Sequence, residues 1–445
     1  MNLSIAKKIN YQNKNFITLY SIIISAVPLS YILGNLFLNL NILLIIALGF
    51  YLFLNGARIK FEFIDKTITF LFLFIVFTST YNSIENYLVE SKEGDFTTFV
   101  KSIMYLRYLF LYLTVRILVK ENLINFKTIY FIYSLAIFLF SIDVIYQFLT
   151  GTNIFGYVSP FGSKNTGLFY EEAIAGSFIQ RFSFFLLYFF PIFFKFEKKF
   201  ILIFLLCFLF TITITGLFLA GNRMPFALFV MTNFIILLTT KTLRKNLIYI
   251  ALFLSLIFGS IFSLNKDISI QYKAFVNYSI DIADAYKQRL LGQAEKGNYQ
   301  FPEHLQEFDT FYLTWKMNPV IGGGIKSYRH LCPKRGGYGT EKSILNDKIT
   351  RPNCNTHPHN YYLEIITEIG VVGLFIIIFI FLKIIYDFCF KFNNYNHKLI
   401  STPFFYIFFI EAFPIKSSGS FFTTGNSIII FLFISFIVGL MNKNN

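Results

Sequence analysis

Cys354 to Phe375 reads CNTHPHNYYLEIITEIGVVGLF, a polar segment with two histidines that runs into a helix and then into an apolar tract. Asn360 predicts a helix N-cap, because a side-chain oxygen there accepts the free amide hydrogens of the first turn. Glu364 and Glu368 follow at four-residue spacing, so both carboxylates lie on one face near the positive end of the helix dipole. Gly370 and Gly373 leave that helix bare, which lets another helix come close. From Phe375 to Leu382 every residue is apolar. His357 and His359 therefore sit just outside a bilayer, at the mouth of a span.

The composition agrees with a lipid environment. The chain has 445 residues, 55% of them hydrophobic, 20% aromatic and only 14% charged, with a mean hydropathy of +0.59. Such a chain is a polytopic membrane protein rather than a soluble one. The net charge of +15 raises the question of nucleic acid. Lys and Arg fall in short clusters between apolar runs, however, which is the positive-inside pattern and not a groove-binding surface, so nucleic acid is excluded as a partner.

Runs of about 17 to 25 apolar residues mark spans. They predict an all-α fold of about twelve transmembrane helices, centred near Ile24, Leu44, Leu73, Tyr108, Leu139, Leu186, Leu209, Phe229, Leu256, Ile377, Phe408 and Phe433. With the N-terminus inside, the inner segments hold Lys7, Lys8, Lys14, Arg58, Lys60, Lys66, Arg116, Lys120 and Lys127, and the same alternation continues to Lys443. Met1 to Asn15 lacks a small-residue cleavage site and predicts a cytoplasmic tail before a retained span. Both ends are thus expected in the cytoplasm of an inner-membrane protein. One large outer, periplasmic loop is expected from Asn265 to about Asn360, with helices over Asp281–Leu291 and Glu303–Met317, a turn at Pro319–Gly324 and an irregular stretch over Arg329–Asn355. The expected organisation is N-terminal spans over 1–210, core spans over 211–264, the outer loop over 265–360 and C-terminal spans over 361–445.

His359-Asn360-Tyr361-Tyr362-Leu363 followed by Glu368-Ile369-Gly370-Val371-Val372-Gly373-Leu374 resembles the H-N-x-[YF]-L…E-x-G-x-x-G-L signature of the O-antigen ligase and polymerase superfamily. Trp315-Lys316-Met317-Asn318-Pro319-Val320-Ile321-Gly322-Gly323-Gly324 is similar to its W-x-M…P-h-h-G-x-G element, and Leu219-Ala220-Gly221-Asn222-Arg223 to its small-polar-Arg turn. The three elements occur in the family's order and span roughly Thr211 to Leu382.

The resemblance implies a metal-independent, inverting glycan transferase without cofactors. Its donor is a glycan on polyprenyl diphosphate, and its acceptor is a sugar hydroxyl of lipid A core or another glycan. It implies His359 as general base and Arg223 as a diphosphate clamp, with Arg289 as a second clamp at looser spacing. A polymerase that extends lipid-linked repeats, a protein-glycosylating ligase, and a transporter without chemistry are the alternatives.

On the residues alone, His359 is either a neutral imidazole that takes a hydroxyl proton or an interfacial histidine bonded to loop backbone. Arg223 is either a planar fork on phosphate or a boundary arginine snorkelling to headgroups. Arg107 and Arg181 interrupt apolar spans, with Glu171 and Glu172 shortly before Arg181, and mark a substrate path or buried ion pairs. His304, Lys326 and Arg329 are candidates for the acceptor side. A metal bound by Cys354, His357 and His359 is disfavoured, because three ligands crowded around Pro358 suit tetrahedral zinc poorly.

Cys332 and Cys354 share the outer loop, where an oxidising compartment pairs cysteines, and are expected to form a disulfide that holds the approach to His359. Closing such a loop removes about 3 kcal/mol of unfolded-chain entropy.

Overall fold

The computed structural model describes residues 14–90, 96–162, 164–195, 197–290, 310–334, 354, 359–416 and 419–443. Among these, every regular element is helical. In chain order the longer helices are α1 (Lys14–Ser25), α2 (Val27–Leu33), α3 (Asn35–Leu54), α4 (Phe63–Glu90), α5 (Thr97–Tyr105), α6 (Arg107–Lys120), α7 (Phe126–Thr150), α8 (Ala175–Phe193), α9 (Lys199–Leu219), α10 (Arg223–Thr239), α11 (Lys241–Leu264), α12 (Lys266–Leu290), α13 (Tyr361–Tyr386), α14 (Tyr395–Glu411) and α15 (Thr424–Met441).

Among the described residues, nine helical stretches are long and apolar enough to cross a membrane, or ten if the bent pair Leu247–Ser263 and Ile268–Asp281 counts as one. That criterion does not confirm the twelve expected from sequence: the helices near Phe229 and Phe408 do form, but α10 and α14 have 17 residues each, at the lower limit for a span. The outer loop expected from Asn265 begins instead with α12, a helix that runs on to Leu290 and takes in Arg289.

Two spans are interrupted by a single turn residue that keeps right-handed helical dihedrals: Ala26, after which Pro28 sits in the first turn of α2, where proline is tolerated, and Leu106, after which Arg107 is the first residue of α6.

α15 is the centre of the bundle. Every residue from Asn426 to Leu440 is buried, as befits a helix that is apolar all round and enclosed by others. It packs against α6 and α14. Aromatic rings fill the gaps edge-on, with Phe404 and Phe433 5.4 Å apart and Phe185 and Phe404 4.9 Å apart, the arrangement that ring quadrupoles favour.

The charge alternation places Arg116 among the basic inner segments, yet it is buried within α6 and pairs with Asp65 through two bonds of 3.0 Å. Its third contact is the Val438 carbonyl at 3.2 Å, and the Tyr112 hydroxyl donates to the same Asp65 carboxylate. A charge this deep is held by a partner and hydrogen bonds together.

The end of the bundle at which α13 starts is organised by an interlock. At Gly370 the chain leaves helical geometry, with φ 68° and ψ −175°, and α13 kinks. Residues 319–324 lie along this break. Gly323 and Gly324 donate to the carbonyls of Thr367 and Glu368, at 3.3 and 2.8 Å, and Val371 and Val372 donate to Pro319 and Val320, at 3.0 and 3.2 Å. The peptide groups freed by the kink are thereby satisfied. The bare face at Gly370 thus receives a backbone segment, not the helix expected there. The Gly322 carbonyl accepts from Asn82 at 3.0 Å, and the Ile325 amide donates to Ser79 at 3.1 Å, which ties the turn to α4.

Candidate active site

His359 stands immediately before α13 with φ 53°, in the left-handed region. Histidine visits that region more readily than most residues, but the conformation persists only where its surroundings impose it. Asn360 caps the helix as the sequence predicts, its side-chain oxygen accepting from the amides of Tyr362 at 2.9 Å and Leu363 at 3.2 Å. Its amide nitrogen donates to the Pro414 carbonyl at 2.9 Å.

Glu364 and Glu368 lie on one face, as the spacing requires, and both are buried. Glu364 accepts from Lys326 Nζ at 3.0 Å and from the Ser420 hydroxyl and the Phe421 amide. Lys326 itself has φ 61°, so the residue that follows the glycine turn by two positions is also held in a left-handed conformation. Glu368 keeps one carboxylate oxygen buried without a hydrogen-bond partner. Arg329 is exposed on the helical turn Tyr328–Leu331, within electrostatic reach of Glu368.

Arg181 is buried, and its partner is Glu411 of α14, not Glu171 or Glu172, which are exposed ahead of α8. Nε and Nη2 bond the two oxygens of Glu411 at 2.8 and 3.2 Å, Nη2 also bonds Asn426 at 2.6 Å, and Nη1 bonds Tyr31 at 3.1 Å. Lys416 donates to the same carboxylate, as does the Tyr361 hydroxyl at 2.9 Å. Burial pushes the Lys416 amine down to about 8; Glu411 opposes this, and neighbouring Arg181 adds to it.

Arg107 is half-buried, donates to the Tyr108 hydroxyl at 2.8 Å and stacks over the Tyr108 ring at 4.7 Å, while its Nε is buried without a partner. Arg223 opens α10 after Gly221, which has φ 72°. Asn222 beside it bonds the Gly176 amide at 2.9 Å and the Ala173 carbonyl at 2.8 Å, so the starts of α8 and α10 are tied together. Among the described residues no ion pair neutralises Arg223, which lies half-buried within electrostatic reach of Tyr272. The structure brings Lys326, Arg181 and the segment after His359 into one connected group, and no hydrogen bond or ion pair among the described residues connects Arg223 to it. The side chain of Arg289 lies outside the described residues, as do His304 and His357.

Cys332 and Cys354 are joined by a disulfide. They pack with Phe311, Tyr328 and Leu363, the rings of Phe311 and Tyr328 stacked 3.6 Å apart. The bond removes Cys354 from the Cys354, His357 and His359 metal alternative. Alkylation of native membranes without reductant, read by mass spectrometry, is expected to leave both cysteines unmodified. Full alkylation of both would refute the bridge.

Sequence reasoning missed Glu411 and Ser420, which lie far along the chain from Arg181 and Glu364, and Lys416, which pairs with Glu411 five residues before it. Their only signal was that ionisable residues flank apolar runs near a helix end, which is common in membrane proteins.

Residues 205–378 match the family model described as O-antigen ligase (Wzy_C), close to the Thr211 to Leu382 region of resemblance. No curated protein matches the chain.

Proposed function

We propose, from the premise that this chain carries an O-antigen ligase domain of a membrane glycosyltransferase family, that it transfers a glycan from a polyprenyl-diphosphate carrier to a sugar hydroxyl of lipid A core. The strongest support is the interlock of two segments of the matched region, residues 319–324 and the kinked α13, the helix whose start His359 precedes.

In this reaction the acceptor hydroxyl attacks the anomeric carbon from the face opposite the diphosphate, and its proton passes to the His359 imidazole. The bond from the anomeric carbon to the diphosphate oxygen breaks, and the configuration inverts. Arg223 and Arg289 take up the charge of the departing diphosphate, with Arg107 as a further cation, while Arg329 and Lys326, the latter paired with Glu364, remain candidates for the acceptor side. Arg181 belongs to the framework, because its guanidinium is engaged by Glu411, Asn426 and Tyr31. A diphosphate is a good leaving group, so a base and electrostatic clamps suffice. The membrane arrangement that goes with this chemistry has both termini in the cytoplasm and residues 265–360 in the periplasm.

A deletion strain tests the acceptor. Ligation predicts core lipid without long glycan; core lipid that carries a single repeat unit would identify a polymerase instead. In a purified assay, Arg223→Lys is expected to lower kcat/KM for the donor about tenfold although the charge is kept, because the bidentate fork is lost. Activity is expected to survive EDTA. Loss in EDTA with rescue by a divalent ion would overturn the metal-free mechanism.

A further inference from the structure

The first turn of α13 is gripped from outside the matched domain. Asn360 bonds the Pro414 carbonyl, the Tyr361 hydroxyl bonds Glu411, the Tyr362 hydroxyl bonds the Ala412 carbonyl, and Glu364 receives Ser420 and Phe421. Four of the five residues that follow His359 are thus fastened to residues 411–416 and 419–421, between α14 and α15. That connection is itself fixed, because Glu411 is held by Arg181 on one side and Lys416 on the other, and Arg181 reaches on to Tyr31 and Asn426. Of these holding residues none falls within 205–378.

A left-handed histidine is an unfavourable conformation that needs such over-determination. The bonds are also of the kind that fix position more than they add stability. A buried carboxylate shared by two cations gains little net free energy, but it leaves the Tyr361 hydroxyl one defined acceptor.

We propose that Glu411, locked by Arg181 and Lys416, is a positioning residue that acts through Tyr361 to set the backbone turn carrying His359. This rests on the assignment of His359 as the base. The carboxylate touches no reacting atom. It fixes where the imidazole stands relative to a bound acceptor, and so its loss slows the chemical step without weakening donor binding.

Tyr361→Phe is the gentlest test, because it removes only a hydroxyl and keeps the ring against Phe421, 5.5 Å away. With the full-length protein and a polyprenyl-diphosphate-linked donor, kcat is expected to fall about tenfold, the loss associated with one hydrogen bond and a slightly misplaced group, with the donor KM unchanged. Hydrogen exchange at the amides of residues 359–364 is expected to speed up in the same variant. Tyr361→Phe/Glu411→Gln is expected to be no slower than Glu411→Gln alone, since both act through one contact. The proposal is overturned by a wild-type kcat in Tyr361→Phe, by KM rising in proportion as kcat falls, by unchanged exchange, or by losses that multiply in the double variant. If wild-type protein transfers no glycan, glycan transfer is what fails, and the exchange comparison alone then decides whether Glu411 holds this turn.

Discussion

His359→Ala is expected to abolish glycan transfer, lowering the rate by the roughly 10²- to 10⁴-fold that a general base contributes, while membrane insertion and abundance are expected to stay at wild-type levels. His357→Ala is expected to retain substantial activity. The difference follows from adjacency: His359 directly precedes the Asn360 cap and is held in a left-handed turn by the start of α13, whereas His357 stands two positions away across Pro358. Purified protein, assayed at saturating donor and acceptor, decides it. Transfer by His359→Ala at a near wild-type rate would leave the proposed mechanism without a base.

Gly370→Ala carries the second large effect, on assembly. A Cβ at this position would lie 2.1 Å from the Val320 oxygen and 2.4 Å from its carbonyl carbon, and φ is 68°. Both neighbours are backbone, so neither can swing aside. The strained dihedral and the clash together cost about 3 kcal/mol or more, a large part of the 5–15 kcal/mol that typically holds a domain together. In detergent the variant is expected to melt well below wild type and to expose residues 319–324 to protease. Gly259→Ala in α11 is the control, since nothing lies within 4 Å of its Cβ and alanine favours a helix. Equal melting of Gly370→Ala and wild type would mean that the two segments do not dock as described.

The helices were legible because lipid leaves a chain few ways to satisfy its backbone, and long apolar runs announce the commonest one. The Asn360 cap was legible because capping is local. The count of spans was less so, since α10 and α14 are apolar but short, and a hydropathy window does not see where a helix stops. Charge placement failed where pairing is distant. Asp65 and Arg116 are 51 residues apart, and Arg181 and Glu411 are 230 apart, so nothing near either arginine revealed that it was neutralised. The charge pattern therefore counts Arg116 with the inner basic segments, and the sequence around Arg181 fits a substrate path and an ion pair equally. The bare glycines of α13 were recognised as a contact surface. That their partner is extended backbone could not be read, because a kink at Gly370 and a turn at Gly322 define each other only once they meet.

The grip of residues 411–416 and 419–421 on α13 also bears on how this protein can be taken apart. A boundary drawn at residues 205 and 378 looks like a natural cut for excision or for swapping with a counterpart from another chain. A fragment cut there would lack Arg181, Glu411, Lys416 and Ser420, and would lose Ser79 and Asn82 from beneath the glycine turn. Chimeras joined at those points would therefore carry every motif residue and still misplace them. Moving the first and last thirds of the chain together with the middle keeps the interlock intact, so the smallest transplantable unit is nearly the whole bundle.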